Sequence, residues 1–440
     1  MNTILKPISL SKLKSGPVFF LRHYLYFFLS HHISSNSAML LIHLLPYNRN
    51  NHPWCVDFIS VNSEDMTQIK QYRVVLKTPL GVCPSPLYAV SFDCDCIKTI
   101  AENGTGPLAA GKRIVAILEK EEYLVFSGSK AYLMFRELMA SLMMPDLLKN
   151  KKVSSLKSIL NVAHTLKGMY DKSLIGNIKK LSESLGHTGN RFINSMYAVF
   201  RDLYTGVPKL ADYFIKQSMV LDTVKSADKI ILGIGEGDYY IFTPLLVTQD
   251  YIFGLDLSSE IKSCKLPVNG TVCYTVSSAI TEGIAASLNT DFAEIKKRFA
   301  DFQKAKIEEN AVSRYMALLN SDETVRMDIL ADRGYQRTED VFAGIRKLSI
   351  NSSDPDTIKM ASFLPKIQGD MLIKMLDFIY LEGGILPAGY EGLYNDVVSG
   401  RITAARDTLV SELEYATAAA ERDNNEESIS RLANIYKSLS

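Results

Sequence analysis

Cysteine is scarce in this chain, and its six thiols (Cys55, Cys83, Cys94, Cys96, Cys264, Cys273) are scattered along 440 residues. That spacing excludes a dense disulfide framework and points to a reducing, cytoplasmic compartment. Net charge is nearly absent too: at +1, with a pI near 7.6, the overall balance argues neither for nor against a polyanionic partner. Histidine is thin. His23, His31, His32, His43 and His52 crowd the start, and only His164 and His187 follow. No HExxH and no GxSxG occurs, which removes a zinc-hydrolase helix and a nucleophile elbow. A membrane-spanning run is also missing. Pro17–Leu29 holds 13 residues, split by Arg22 and His23, against the roughly 20 that a spanning helix needs.

What is present is ordinary globular material, 47% hydrophobic and 22% charged, in a length that suits two or three domains. Lys6, Lys12 and Lys14 precede the apolar run and SHHISSNSA follows it, the outline of a signal peptide or anchor. Met39 offers a second start, with the first 38 residues as a leader, and an ordinary buried helix is the third reading. Residues 1–50 are therefore set aside as an N-terminal extension, and the body is expected to have no membrane contact.

Residues 51–205 read as a β-rich and then helical domain. CVDFISV, YRVVLKT, LYAVSFDC, RIVAILEK and YLVFSG are short β-branched or aromatic runs between turn formers, and they predict strands. Gly106-Pro-Leu-Ala-Ala-Gly111-Lys112 has the spacing of a phosphate-binding loop, but Arg113 stands where a magnesium-holding Ser or Thr belongs. The run after it reads as a strand rather than the phosphate-receiving helix, so the segment is taken as a loop between strands. Cys94-Asp95-Cys96 lacks a second ligand pair at zinc-finger spacing and is read as two small side chains packing into a sheet.

From Lys130 to Leu221 the periodicity turns helical, with a Met-rich core face. A basic belt runs through Lys149, Lys151, Lys152, Lys157, Lys167, Lys172, Lys179, Lys180 and Arg191, interleaved with Tyr170, Phe192, Tyr197 and Tyr204. Cations hold phosphates and rings stack bases, so the belt predicts an RNA-binding surface; a solvated helix face yields the same residues.

Residues 206–400 carry the most suggestive stretch, Ser226 to Cys264. It reads as a strand (Lys229–Leu232), a turn with Gly233, Gly235 and Gly237, and a second strand (Tyr251–Leu255) closed by Asp256. Glycines let backbone approach a ligand, and an acidic residue about 20 positions on accepts ribose hydroxyls. Val325-Arg-Met-Asp-Ile-Leu-Ala-Asp332 and the helix-like Met371–Glu382 before Gly383-Gly384 follow in order. On these residues the chain resembles class I S-adenosylmethionine-dependent methyltransferases over about residues 210–400. The resemblance implies an α/β Rossmann-like sheet and an S-adenosylmethionine site at Gly233, Gly235, Gly237 and Asp256, with Ser277–Thr281 flanking the adenine. Within that group, ribose 2′-O-methyltransferases acting on RNA place a lysine before the first strand and an aspartate after the fourth. Lys216 and Asp332 match, and the resemblance makes them catalytic. The chain departs after Gly384, where Ile-Leu-Pro-Ala-Gly-Tyr offers no lysine, which puts retention of the chemistry in doubt.

Residues 401–440 read as an amphipathic helical tail that packs on the body or mediates a homo-oligomer. A second reading has no enzyme in it: an RNA-binding structural protein of viral nucleocapsid or coat type, with Gly233–Gly237 a plain hairpin turn between KIIL and YYIF. Connectivity separates the two. The methyltransferase needs Lys229–Leu232 and Phe253–Leu255 adjacent and parallel through a helical crossover, whereas Asp238-Tyr-Tyr-Ile-Phe-Thr-Pro is β-rich and carries a proline.

Overall fold

The computed structural model describes residues 38–48, 52–91, 95–144, 147–189, 191–216, 230–234, 239–247, 251–258, 262–267, 272–275, 290–307, 369–384, 386 and 389–439. Its first half is built on β1 (Ala38–Pro46), β2 (Pro53–Asn62), β3 (Gln68–Val75), β4 (Tyr123–Phe126) and β5 (Lys152–Ser155), in the sheet order β3-β2-β1-β4-β5. β1, β2 and β3 form an antiparallel meander, while β1, β4 and β5 run parallel. β1 reads AMLLIHLLP, apolar at almost every position, because the central strand is covered on both faces. Met39 and Leu41 pack with Ile59, Val61 and Val125 on one side; Leu40, Ile42 and Leu44 pack with Val56, Phe58 and Phe126 on the other.

Parallel neighbours need crossovers, and helices supply them. Between β3 and β4 lie α1 (Pro86–Ser91), α2 (Cys96–Asn103) and α3 (Pro107–Leu118), and α4 (Ser129–Ser141) joins β4 to β5. After β5 come α5 (Leu156–Lys167), α6 (Lys172–Ile175), α7 (Ile178–Ser184), α8 (Phe192–Gly206) and α9 (Pro208–Lys216). α3 and α4 cover one face of the sheet through Ile114, Leu118, Phe135 and Leu138. α5, α7, α8 and α9 cover the other through Ile159, Leu181, Val199 and Phe214.

Two of the expected strands prove to be helix, and one observed strand is unexpected. LYAVSFDC opens as α1 and RIVAILEK belongs to α3, whose Ala110, Ile114, Ile117 and Leu118 recur at helical spacing toward the core. Pro107 in the first turn, with Gly106 before it, starts that helix. The unexpected strand is β1 itself, which begins at Ala38 inside the stretch set aside as an extension. Cys96 does not lie on a strand either: it opens α2 behind Asp95, whose carboxylate accepts from Lys98 N. Cys94 and Pro17–Leu29 lie outside the described residues.

A second sheet holds β6 (Ile231–Ile234), β7 (Tyr239–Val247), β8 (Tyr251–Asp256), β9 (Lys262–Pro267) and β10 (Val272–Thr275), in the order β10-β6-β7-β8-β9. Every pairing in it is antiparallel. This overturns the Rossmann-like methyltransferase layout. Ile231 pairs with Phe242 and Leu232 with Ile241, so β6 and β7 form a hairpin, and β7 separates β6 from β8. The β-rich DYYIFTP segment follows its own propensity and makes a strand where the resemblance required a crossover helix. The α/β class stands; its expected topology does not.

Leu232, Ile234 and Ile241 join the core of the first sheet, together with Ile295 of α10 (Phe292–Ile307). The chain ends in α11 (Asp370–Leu381), α12 (Glu391–Arg422) and α13 (Glu426–Leu439). α11 packs on α4 through Met375, Leu376 and Ile379 against Ala140 and Met143. The tail lies on its own body: Ala416, Ala420, Leu432 and Ile435 cover Leu45, Tyr47, Trp54 and Cys96. Among the described residues no helix is long and apolar enough to cross a membrane.

Candidate functional site

The strand order itself marks where a ligand belongs. β1 and β4 are parallel neighbours, but the chain leaves β1 toward β2 on one side and β4 toward β5 on the other. Their carboxyl ends therefore diverge, and a crevice opens at such a topological switch point. Alternation sends Met39, Leu41 and His43 of β1 to the face covered by α5 and α8. His43 sits opposite Asp57 of β2, and Asp57 opposite Arg73 of β3, so three strands form one polar row across the sheet.

The row is internally satisfied. Arg73 donates from Nε to Asp57 Oδ1 and from Nη2 to Oδ2, both at 2.6 Å, and Cys55 Sγ donates to Oδ1 at 3.9 Å. Asp57 is only 2% exposed. The His43 ring stacks on Phe192 of α8 with centroids 4.0 Å apart, and its Nδ1 lies 3.3 Å from Ser127 Oγ at the end of β4. Burial pushes the His43 imidazole down to about 4, against the pull of Asp57; Lys157 and Arg73 push it the same way as burial. The ring is neutral at neutral pH. Ser127, His43 and Asp57 share the composition of a hydrolase triad without its geometry: among the described residues no hydrogen bond joins His43 to Asp57, whose oxygens are committed to Arg73. Beyond His43, Leu45 and Tyr47 disappear under α12 and α13.

A second feature lies at the outer edge of the same sheet. β3 and α3 enclose an open groove of about 600 Å³ lined by Lys70, Tyr72, Arg73, Arg113 and Lys120 with no carboxylate among the described lining residues. Arg113, Ala116, Ile117 and Lys120 recur at helical spacing, so one stripe of α3 faces the groove. The Lys70 ammonium stands 5.1 Å from the centroid of the Tyr72 ring. Strand alternation at Lys70 and Tyr72 was the signal in the sequence, but it acquires meaning only beside α3.

A third cavity, about 580 Å³, lies between the sheet and the C-terminal helices and includes His52, Lys374, Asp377, Arg401 and Glu412. Its charges serve docking. Arg401 donates to both oxygens of Asp377 at 2.8 and 2.7 Å, the Tyr394 hydroxyl donates to Asp377 Oδ1 at 3.0 Å, and Ser85 Oγ donates to Glu412 at 2.6 Å. Burial pushes His52 down to about 4.

The basic belt is divided by the fold. Tyr170 donates its hydroxyl to Asp202, Tyr197 to the Met66 carbonyl and Tyr204 to Asp212, while Phe192 lies on His43. These rings brace the body instead of facing outward as stacking platforms. Lys152 pairs with Glu122 at 2.9 Å, whereas Lys167, Lys172, Lys179, Lys180 and Arg191 are exposed. These five charges are offered to solvent; the aromatics of the belt are not.

Of the residues assigned to a methyl-transfer site, Gly233, Asp256 and Lys216 lie among the described residues, on three different elements. Gly233 is mid-strand in β6, between Tyr240 and Cys273. Asp256 closes β8 opposite Phe242 and Lys262, and its Oδ1 accepts from the amide and hydroxyl of Ser258 at 2.9 and 2.7 Å. Lys216 is the last residue of α9. Gly235, Gly237, Ser277–Thr281 and Asp332 lie outside the described residues. The phosphate-loop look-alike does precede a helix after all, yet the anion there is internal: Leu108 N donates to Glu382 Oε1 at 2.7 Å. A Cβ on Gly106 would stand 2.7 Å from the same oxygen.

No family model matches the chain, and no curated protein matches it. Solved structures do. A product-bound exonuclease I is similar over 92% of this chain and 99% of its own, at 12% identity and a TM-score of 0.63. E. coli exonuclease I in complex with a 5cy-dA13 oligonucleotide is similar over 91% and 98%, at 11% identity and a TM-score of 0.68. The metal-free form of an E. coli exonuclease I–ssDNA complex is similar over the same shares, at 12% identity and a TM-score of 0.61. At these identities the likeness is one of fold. It replaces the methyltransferase resemblance, and with it the transferase activity and the S-adenosylmethionine cofactor; the nucleocapsid or coat alternative finds no support either. A nucleic-acid partner remains compatible, since these neighbours are bound to oligonucleotides.

Nucleases commonly run their chemistry on paired divalent ions held by several carboxylates, and the described residues at this crevice do not fit such ions. Among the described residues no group of three or more His, Cys, Asp or Glu side chains is placed to hold a metal.

Proposed function

We propose that this protein binds single-stranded nucleic acid across a body of exonuclease I type. The observation that carries the reading is the length of the likeness: more than nine-tenths of this chain follows nearly all of exonuclease I, in structures holding single-stranded DNA oligonucleotides. The small antiparallel sheet and the C-terminal helices take part in that likeness, so it is not confined to the first sheet. The groove at Lys70, Tyr72, Arg113 and Lys120 supports the reading, because cations beside a ring suit phosphates with an adjoining base.

The test is fluorescence anisotropy with labelled dT13, a U13 RNA and a DNA duplex at several salt concentrations. Single strands are expected to bind with dissociation constants on the order of micromolar at low salt, weakening as salt rises through counterion release. The Lys70→Glu/Arg113→Glu/Lys120→Glu variant is expected to bind at least about tenfold more weakly with an unchanged circular dichroism spectrum. An anisotropy that stays flat for all three ligands at low salt would overturn the proposal.

A further inference from the structure

We infer that the strand is held without metal-assisted cleavage, because the crevice where this fold would house divalent cations is closed to them. The inference rests on the nucleic-acid reading above and deepens it.

Among the described residues, the elements at the carboxyl ends of β1 and β4 contribute groups that together do not suit a cation. β1 offers His43 and Leu45, the end of β4 offers Ser127, α8 offers Phe192 and β2 offers Asp57. Asp57 is the one carboxylate of the polar row, and a magnesium or manganese site that brings a phosphodiester into line needs more oxygen ligands than one side chain supplies. That carboxylate is also spent. The Arg73 guanidinium binds it edge to edge at 2.6 Å on both oxygens, with the Cys55 thiol on Oδ1, so a cation would first have to displace a bidentate ion pair from a buried position.

Charge works in the same direction. Arg73 neutralises Asp57, the carboxylate that would attract a dication, and Lys157 adds a further positive neighbour to His43. Space works the same way. Phe192 lies flat on the imidazole, and one strand step further Leu45 and Tyr47 are sealed by Ala416, Ala420 and Leu432. The usual centre of the fold has thus become part of its core, and binding has to rely on surfaces outside it.

The experiment uses the full-length chain and has two independent arms. In the first, free Mn²⁺ is followed by electron paramagnetic resonance while protein is added, and no loss of the free-ion signal is expected. In the second, labelled dT13 is incubated with the protein in EDTA, in Mg²⁺ and in Mn²⁺ at matched ionic strength. Anisotropy reads binding and a denaturing gel reads strand length on the same samples. Binding no weaker in EDTA than in either metal, with the strand at full length, is the expected result. One or more Mn²⁺ taken up per chain, or shortening in metal that EDTA prevents and that follows the protein peak in gel filtration, would overturn the inference. Absence of binding in all three buffers would instead remove the nucleic-acid reading, while the manganese arm still decides the cation question.

Discussion

Arg73 on the edge strand holds Asp57 of the neighbouring strand with both sides of its guanidinium, at 2.6 Å to each oxygen. The carboxylate is buried and the guanidinium keeps some surface, 2% against 22% side-chain exposure. Removing the cation alone strands a charge in the core. Arg73→Ala is therefore expected to destabilise by about 3 kcal/mol, and Arg73→Gln combined with Asp57→Asn by clearly less, since no naked charge remains. Urea unfolding of Arg73→Ala and of the double variant measures the difference; equal losses for the two would refute it.

Stability is expected to fall on mild acidification. His43 and His52 titrate near 4 in the fold, below their ordinary 6.5, because burial disfavours the imidazolium. Between those values the unfolded chain binds more protons than the folded one. Stability is full above pH 6.5 and declines as pH drops toward 4, by about 2 kcal/mol per histidine once the surface each retains is allowed for. His43→Gln should flatten the urea-midpoint profile between pH 7 and 5. An unaltered slope would assign the acid loss elsewhere.

Two of the C-terminal helices are joined to each other by an ion pair, while a separate pair, Lys374–Glu137 at 2.6 Å, ties α11 to α4. Arg401 of α12 grips Asp377 of α11 and also donates to the Leu80 carbonyl at 3.0 Å. Arg401→Ala leaves Asp377 with only the Tyr394 hydroxyl and is expected to cost about 2 to 4 kcal/mol. Limited proteolysis should then open the chain within α12 before the first sheet is cut. Unchanged cleavage kinetics would contradict that role.

Glu382 fills the place that a phosphate holds in a true phosphate-binding loop. Its carboxylate caps the first turn of α3 at Leu108 N. Glu382→Gln keeps the shape and removes the charge, and a loss of about 0.5 to 1 kcal/mol is expected, smaller at high salt. A Tm that does not respond, at low and high salt alike, would show that the helix end gains nothing from the anion.

How much of this was readable in advance depends on composition and period. CVDFISV, YRVVLKT and YLVFSG became β2, β3 and β4, because short β-branched or aromatic runs bounded by turn formers favour strand whatever their burial. β1 left no alternation to read: covered on both faces, it reads as a continuous apolar run. RIVAILEK fits both periods, and the decisive cue was Pro107 at the start of the helix. Gly233 to Asp256 shows that spacing carries no connectivity, since a hairpin and a crossover place the same residues at the same intervals. The row His43–Asp57–Arg73 was not legible at all. It draws one residue from each of three strands, and only the pairing registers bring them together.

Leu432 and Ile435, near the last residue, pack in one cluster with Leu45, Tyr47 and Trp54, near the first strand. Synthesis runs in one direction, so the opening strand of the sheet leaves the ribosome long before its cover does. Until α12 and α13 are made, Leu45, Tyr47 and Trp54 lack part of their apolar cover. Contacts between such distant positions also form late and slowly. Leu45 and Tyr47, at the far end of β1, thus gain their α12 and α13 cover after Met39 to Leu44 have been packed by helices of the first half.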